Sequence, residues 1–213
     1  FTRGNGLSSD WVNALYEDRE GNVWVATNEG LDRFREPAVA IISTNQGLAS
    51  EAAFAVLPAR DGSVWLGSPD GLTRWQNGQA AVYRTGEGLP DNRVGSLFED
   101  STGRILAATV GGIATFEGGR FVPLRSVATR IVYNIVEPRA GELWINDHDR
   151  GLIHLIGDAV AETIPWTALG HDDHANALEA DRARGGLWVG FHKGGVAFLK
   201  NGAIGAAVAA SDG

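Results

Sequence analysis

Apolar residues in this chain fall into short runs, each closed by a glycine turn. "NVWVAT" (22–27), "SVWLGS" (63–68), "RILAAT" (104–109), "ELWIND" (142–147) and "GLWVGF" (186–191) are five such runs. They are rich in β-branched and aromatic residues, and none keeps a helical period over a useful length. Their composition and punctuation predict strands. An earlier apolar run precedes each, such as "VNALYED" (12–18), "RVGSLFED" (93–100) or "IVYNIVEP" (131–138). A third follows: "GLDRF", "GLTRW", "GIATF", "GLIHL" or "GVAFL". A fourth closes the set, as in "AVAIIST" (38–44) and "AAVYRT" (80–85).

These sets recur at a fixed period. Gly21, Gly62, Gly103, Gly141 and Gly185 stand 41, 41, 38 and 44 residues apart. Three residues after each comes Trp24, Trp65, Leu106, Trp144 or Trp188. Four short strands in about 41 residues is the length of one propeller blade. The pattern therefore predicts an all-β fold, a β-propeller of four-stranded antiparallel blades. About five blades lie in this chain, as one domain over 1–213 or as a fragment of a larger propeller. The repeats run approximately 6–46, 47–87, 88–128, 129–169 and 170–213. The four tryptophans and Leu106 are expected to be buried between blades, because an aromatic that occurs once per repeat inside an apolar strand belongs to the core. Gly30, opening the third strand of the first repeat, is expected at positive φ. Phe1-Thr2-Arg3 aligns with the tail of a fourth strand, and pairing of residues 1–3 with the last blade is one expected route to closure.

Composition narrows the partners. The net charge of −8 argues against nucleic acid and against an anionic membrane surface. There is no cysteine, which excludes disulfides, thiolate metal sites and a cysteine nucleophile. Apolar runs are far shorter than a membrane span.

The stretches "GLSSDWVNALYEDREGNVWVATNEGLDRF" (6–34) and "GLPDNRVGSLFED" (88–100) resemble the two-component regulator propeller repeat. That pattern has a Gly-Leu-Pro opening, a Glu-Asp pair, a glycine turn, Trp-Ile-Gly-Thr and Gly-Leu. Departures are visible: Leu106 replaces a tryptophan, Pro58-Ala59 replaces the Glu-Asp pair, and the last two copies lack the opening. The resemblance implies the extracytoplasmic, ligand-reading part of a membrane-bound signalling protein. A histidine kinase or other output domain is then expected elsewhere in the parent chain. It implies a small-molecule or glycan-like ligand, a periplasmic location and no cofactor.

Candidate binding residues follow from blade topology. Strands alternate in direction, so a blade's lead-in loop and its second-to-third-strand loop share one edge. His148, with Asp147, Asp149 and Arg150, lies in "NDHDRG" (146–151). His192 and Lys193 lie in the equivalent loop of the next repeat, "FHKGG" (191–195). His171, Asp172, Asp173 and His174 lie in the lead-in loop between them, "GHDDHAN" (170–176). Only His154 sits within a strand. The equivalent loops of the first three repeats are plainer. Imidazoles beside carboxylates suit a polar ligand and predict a charge that changes between about pH 5 and 8. The spacing "HDDH" matches no recognised metal motif. Trp11 and Trp166 lie outside the repeat pattern near lead-in loops, where an aromatic ring can stack on a ligand. Arg93, just past "GLPDN", is expected to point at the channel mouth. The plainer reading of these loops is a solvated rim, with the two tryptophans as lids over blade ends.

The expected function is a non-enzymatic sensor module. The alternatives are a protein-interaction scaffold, or a lyase or hydrolase built on a propeller. Self-association through blade edges is also expected if the outer strands stay unpaired.

Overall fold

The computed structural model describes residues 2–35, 38–127, 129–200 and 203–208. Two compact units divide the chain: Phe1–Glu99 with Gly103–Pro123, and Asp100–Thr102 with Leu124–Gly213. The first unit carries three blades. Blade 1 is β1 (Val12–Glu17), β2 (Val23–Thr27), β3 (Leu31–Arg35) and β4 (Ala38–Ile42). Blade 2 is β5 (Ala55–Pro58), β6 (Val64–Ser68), β7 (Gly71–Gln76) and β8 (Gln79–Tyr83). Blade 3 is β9 (Val94–Glu99), β10 (Ile105–Thr109), β11 (Gly112–Glu117) and β12 (Arg120–Pro123).

The second unit carries two blades. Blade 4 is β13 (Val132–Arg139), β14 (Glu142–Asp147), β15 (Gly151–Ile156) and β16 (Ala159–Ile164). Blade 5 is β17 (Ala175–Asp181), β18 (Gly186–Phe191), β19 (Val196–Lys200) and β20 (Ala203–Val208). Each of the five sheets runs in chain order with antiparallel neighbours. The all-β, four-stranded reading of the repeat is what the chain adopts.

Short 3-10 turns lead into four of the blades, at Arg3–Asn5, Thr44–Gln46, Thr85–Glu87 and Trp166–Leu169. Gly88 ends one of them at φ 99°, and a Cβ there would run into the carbonyl of Phe121. Only glycine meets both demands. Two expectations need correction. Arg3 begins a 3-10 turn rather than ending a strand, while Phe1 lies outside the described residues. Gly30 does not adopt positive φ. It is needed for space, because a Cβ would sit 3.0 Å from the Ile42 carbonyl oxygen and 3.2 Å from Ser8 Cβ.

The repeated aromatic position fills the space between blades. Trp24, Trp65, Leu106 and Trp144 are buried, but Trp188 is only half-buried, packed on Phe198 of its own blade at 4.8 Å. Trp24 joins Ala26 and Leu31 of blade 1 to Val64 and Leu66 of blade 2 in one core cluster. Trp65 makes edge contacts with Phe116 at 4.9 Å and Phe121 at 6.0 Å, which ties blade 2 to blade 3. In the second unit Trp144 packs with Leu178, Leu187 and Leu199 of blade 5.

The indole N–H of these tryptophans is handled unequally. Trp24 donates to Asp18 Oδ2 at 2.9 Å, and Trp188 donates to Asp181 Oδ2 at 3.1 Å. In blade 2 Ala59 holds the place of Asp18: its N–H donates to the Ser63 carbonyl at 2.8 Å, as that of Asp18 donates to Asn22 at 2.9 Å. Trp65 Nε1 is accordingly buried without a partner. Burial raises the pKa of Asp18, but the bonds from Trp24 and Asn22 outweigh it and hold the carboxyl below its usual value of 3.8.

Candidate functional site

One backbone bond sets the geometry of the loop edge. In blade 5 the His192 N–H donates to the His174 carbonyl at 3.0 Å. The same bond joins His148 to Ile131 at 2.8 Å, Val110 to Arg93 at 3.3 Å and Asn28 to Trp11 at 3.2 Å. Pro69, which has no N–H, stands at the donor position of blade 2. Trp11, Arg93 and His174 are therefore one repeat position, and His148 and His192 another. The five residues that the sequence singled out thus fall at two repeat positions, the two ends of one backbone bond.

Within the second unit these positions converge. The rings of His148 and His174 lie 4.2 Å apart, and those of His174 and His192 lie 4.9 Å apart at 15°. Tyr133, the second residue of β13, stacks on His174 at 5.5 Å and meets His148 at 5.9 Å. Four rings from blades 4 and 5 thus form one row. His192 is exposed, and Asn176 Nδ2 lies 3.1 Å from its Nδ1. His148 Nδ1 pairs with Asp149 Oδ1 at 2.7 Å.

The remaining histidine of the set sits beside the row. His171 lies flat on Phe191, with ring centroids 3.3 Å apart, and its Nδ1 is 3.3 Å from Asp173 Oδ1. Asp173 Oδ2 accepts the Lys193 backbone N–H at 2.6 Å. Burial raises the Asp173 pKa, but this amide and the His171 hydrogen bond outweigh it, so the carboxyl stays below 3.8. Lys193 Nζ pairs with Asp172 at 3.2 Å on the exposed rim, where such a pair contributes little.

Two site candidates belong to the framework below the row. Asp147 is fully buried, and its carboxylate accepts the backbone N–H groups of Asp149 at 3.0 Å, Arg150 at 2.9 Å and Arg130 at 3.3 Å. Trp166 is also buried, and its indole donates to the His148 carbonyl at 3.0 Å. Arg150 itself lies exposed on the same loop. In the first unit Trp11 is largely exposed on blade 1, and Arg93 lies over the Phe54 ring at 5.5 Å.

The electrostatics correct one expectation. Carboxylates do not win at the middle ring: burial, then the charges of His148 and His192, push the His174 pKa below 6.5. Asp173 and Asn176 oppose this more weakly. His174 is therefore a neutral ring near pH 7. Among the described residues no group of three histidines or carboxylates converges well enough to hold a metal ion. Stacked rings direct their lone pairs along parallel planes rather than toward one point.

Sequence reasoning missed Tyr133, because "IVYNIVEP" looks uniformly apolar. Period-2 alternation was the available signal, since Val132 is buried and Tyr133 is 39% exposed.

Blades of this order and register define the chain as a β-propeller, with its unusual chemistry on the loop edge. The family described as two component regulator propeller matches residues 6–29 and 88–111, the openings of the first and third repeats. Among solved structures, the chain is similar to an extracellular domain from B. thetaiotaomicron named as that of a hybrid two-component system. That match has 19% identity and a TM-score of 0.80, over 96% of this chain and 31% of the other. A second extracellular domain from that organism, named for a one-component system, matches at 16% identity and TM-score 0.73, over 97% and 30%. A catalytically inactive virginiamycin B lyase from Staphylococcus aureus, solved with quinupristin, matches at 16% identity and TM-score 0.69, over 94% and 70%. The chain spans about a third of the length of the first two. At these identities the likeness is one of fold. No curated protein matches the sequence. Among the described residues no helix is long and apolar enough to cross a membrane.

Proposed function

We propose that this chain is a non-enzymatic sensor module that binds a small, polar, sugar-sized ligand on the histidine edge of blades 4 and 5. It serves as the extracytoplasmic part of a membrane-bound signalling protein whose output domain, a histidine kinase or its equivalent, lies elsewhere in the parent chain. The observation that carries the reading is the row Tyr133, His148, His174, His192. It places ring faces and imidazole nitrogens together on loops held by a buried frame. Such a surface offers stacking and hydrogen bonds at once. The imidazoles serve binding rather than proton transfer, since their faces pack on one another and the Nδ1 atoms of His148 and His171 are committed to carboxylates. The family match at two repeats and the likeness to two extracellular signalling domains support the sensor reading.

The test is calorimetry of the chain against a panel of mono- and oligosaccharides. The double variant His148→Ala/His174→Ala should weaken a bound sugar at least tenfold. It should shift stability by under about 0.5 kcal/mol, as loop substitutions do. Unchanged affinity in a folded double variant would remove the site. Location is tested separately. The chain has no cysteine, so Asp172→Cys in the parent protein reports accessibility to a membrane-impermeant maleimide. Labelling of intact cells supports the placement, and labelling only after lysis refutes it.

A further inference from the structure

A second candidate site lies in the first unit, where the first-to-second-strand turns of blades 1 and 2 meet. A cavity of about 500 Å³ lies between blades 1 and 2, lined among others by Tyr16, Asn22, Trp24, Arg33, Trp75 and Asn77. In each blade one residue of the third strand pairs across from the repeated Trp or Leu: Arg33, Arg74, Thr115, His154 and Phe198. Arg33 lies over the Trp24 ring at 5.5 Å, and Arg74 lies over Trp65 at 5.3 Å. The two arginines differ in their partners. Arg74 pairs with Asp61 at 2.6 Å. Glu20 holds the place of Asp61 in blade 1, but its carboxylate faces Asn22 Nδ2 at 3.4 Å. No carboxylate among the described residues pairs with Arg33, whereas the Nε of both arginines is buried with no hydrogen-bond partner.

We propose that this cleft binds a ring-bearing organic carboxylate, with Arg33 as its counter-charge. A guanidinium fixed against an indole has its planar fork pre-oriented, and a carboxylate matches that fork with two parallel hydrogen bonds. The cavity is of ligand size. Tyr16 and Trp75 supply ring surface beside the charge, and Asn77 supplies an amide for a ring hydroxyl, while the buried Asn22 amide is held by Asp18. Asp18 also lines the cleft, but its oxygens already accept from Trp24 Nε1 and from Asn22. The smaller cavity between blades 4 and 5, about 220 Å³, differs in its charge partners. There His154 takes the place of Arg33 and lies between Glu162 at 3.4 Å and Glu142 at 4.0 Å. The position in blade 1 joins a cation that no described carboxylate pairs with to a cavity of ligand size. This site is separate from the histidine row and stands or falls without it.

The experiment titrates the chain by calorimetry, at low ionic strength, with glucuronate, benzoate and glucose. Binding of either carboxylate with one-to-one stoichiometry, and much weaker binding of glucose, is expected. Glucuronate over benzoate indicates a hydroxylated ring, and the reverse an aromatic one. Arg33→Met should lower affinity at least tenfold, while Arg120→Met, at an exposed position of β12, should leave it unchanged. If Arg33→Met does not fold, Arg33→Lys keeps the charge and loses the fork, and should weaken binding severalfold. The unaltered chain gives a second readout, since the indole N–H resonances of Trp24 and Trp75 should move on binding and that of Trp188 should not. Glucose binding as tightly as glucuronate, retained affinity in a folded Arg33 variant, or indole resonances unmoved by either carboxylate would each overturn the proposal.

Discussion

The imidazoles of His148 and His174 lie 4.2 Å apart although they come from neighbouring blades. Two rings so close cannot both carry charge without cost. The depressed pKa of His174 then fixes the sign of a pH effect. The unfolded chain takes up this proton near pH 6.5, before the folded chain does. The contribution to stability is complete above about 6.5 and is lost as the pH falls through the lower native value. Denaturant melts should show the native chain losing stability from pH 8 to pH 5. His174→Phe should lose less over the same range, because the titrating group is gone. NMR titration should place the His174 midpoint below 6.5, and a midpoint above it would contradict the stacking.

The two best-buried tryptophans should respond differently to the same change. Trp65→Ala removes a large buried aromatic and should cost about 3–5 kcal/mol. Trp65→Phe should cost less than Trp24→Phe by about 1 kcal/mol, since the Trp65 N–H has no acceptor to lose and Trp24 gives up its bond to Asp18. Equal costs in denaturant melts would mean that Ala59 is not the reason for the orphaned indole.

Much of this was legible in the sequence. The 41-residue period located all five blades, because the turns and the aromatic repeat together. The loop edge was legible too, since strand alternation alone puts residues 148, 174 and 192 on one side. What could not be read was depth. Asp147 and Asp149 look alike in "NDHDRG", yet the first is enclosed by three backbone donors and the second faces solvent. The cleft at Arg33 was hidden for a similar reason. "GLDRF" and "GLTRW" both carry an arginine, and only the fold shows that one of them meets a carboxylate.

Blade 1 differs from the others on its outer face. Leu15 is 67% exposed, whereas Ile135 and Leu178, at the same register position of blades 4 and 5, are each 5% exposed. Val23 follows the same trend at 36%, against 6% for Val64. An apolar sheet face left in water favours association. Sedimentation velocity across a concentration series should show self-association of the chain, and Leu15→Arg should reduce it without lowering the melting temperature. A chain that stays monomeric throughout would contradict this expectation.

The residue opposite the repeated aromatic is Arg33, Arg74, Thr115, His154 or Phe198, in blades whose strand order is otherwise the same. Cation, hydroxyl, imidazole and phenyl are all tolerated at one place in one framework. Substitution there alters the chemistry of a single cleft and leaves the architecture intact. A lineage of such chains can therefore vary the chemistry between its blades one repeat at a time, with no need to evolve a new fold.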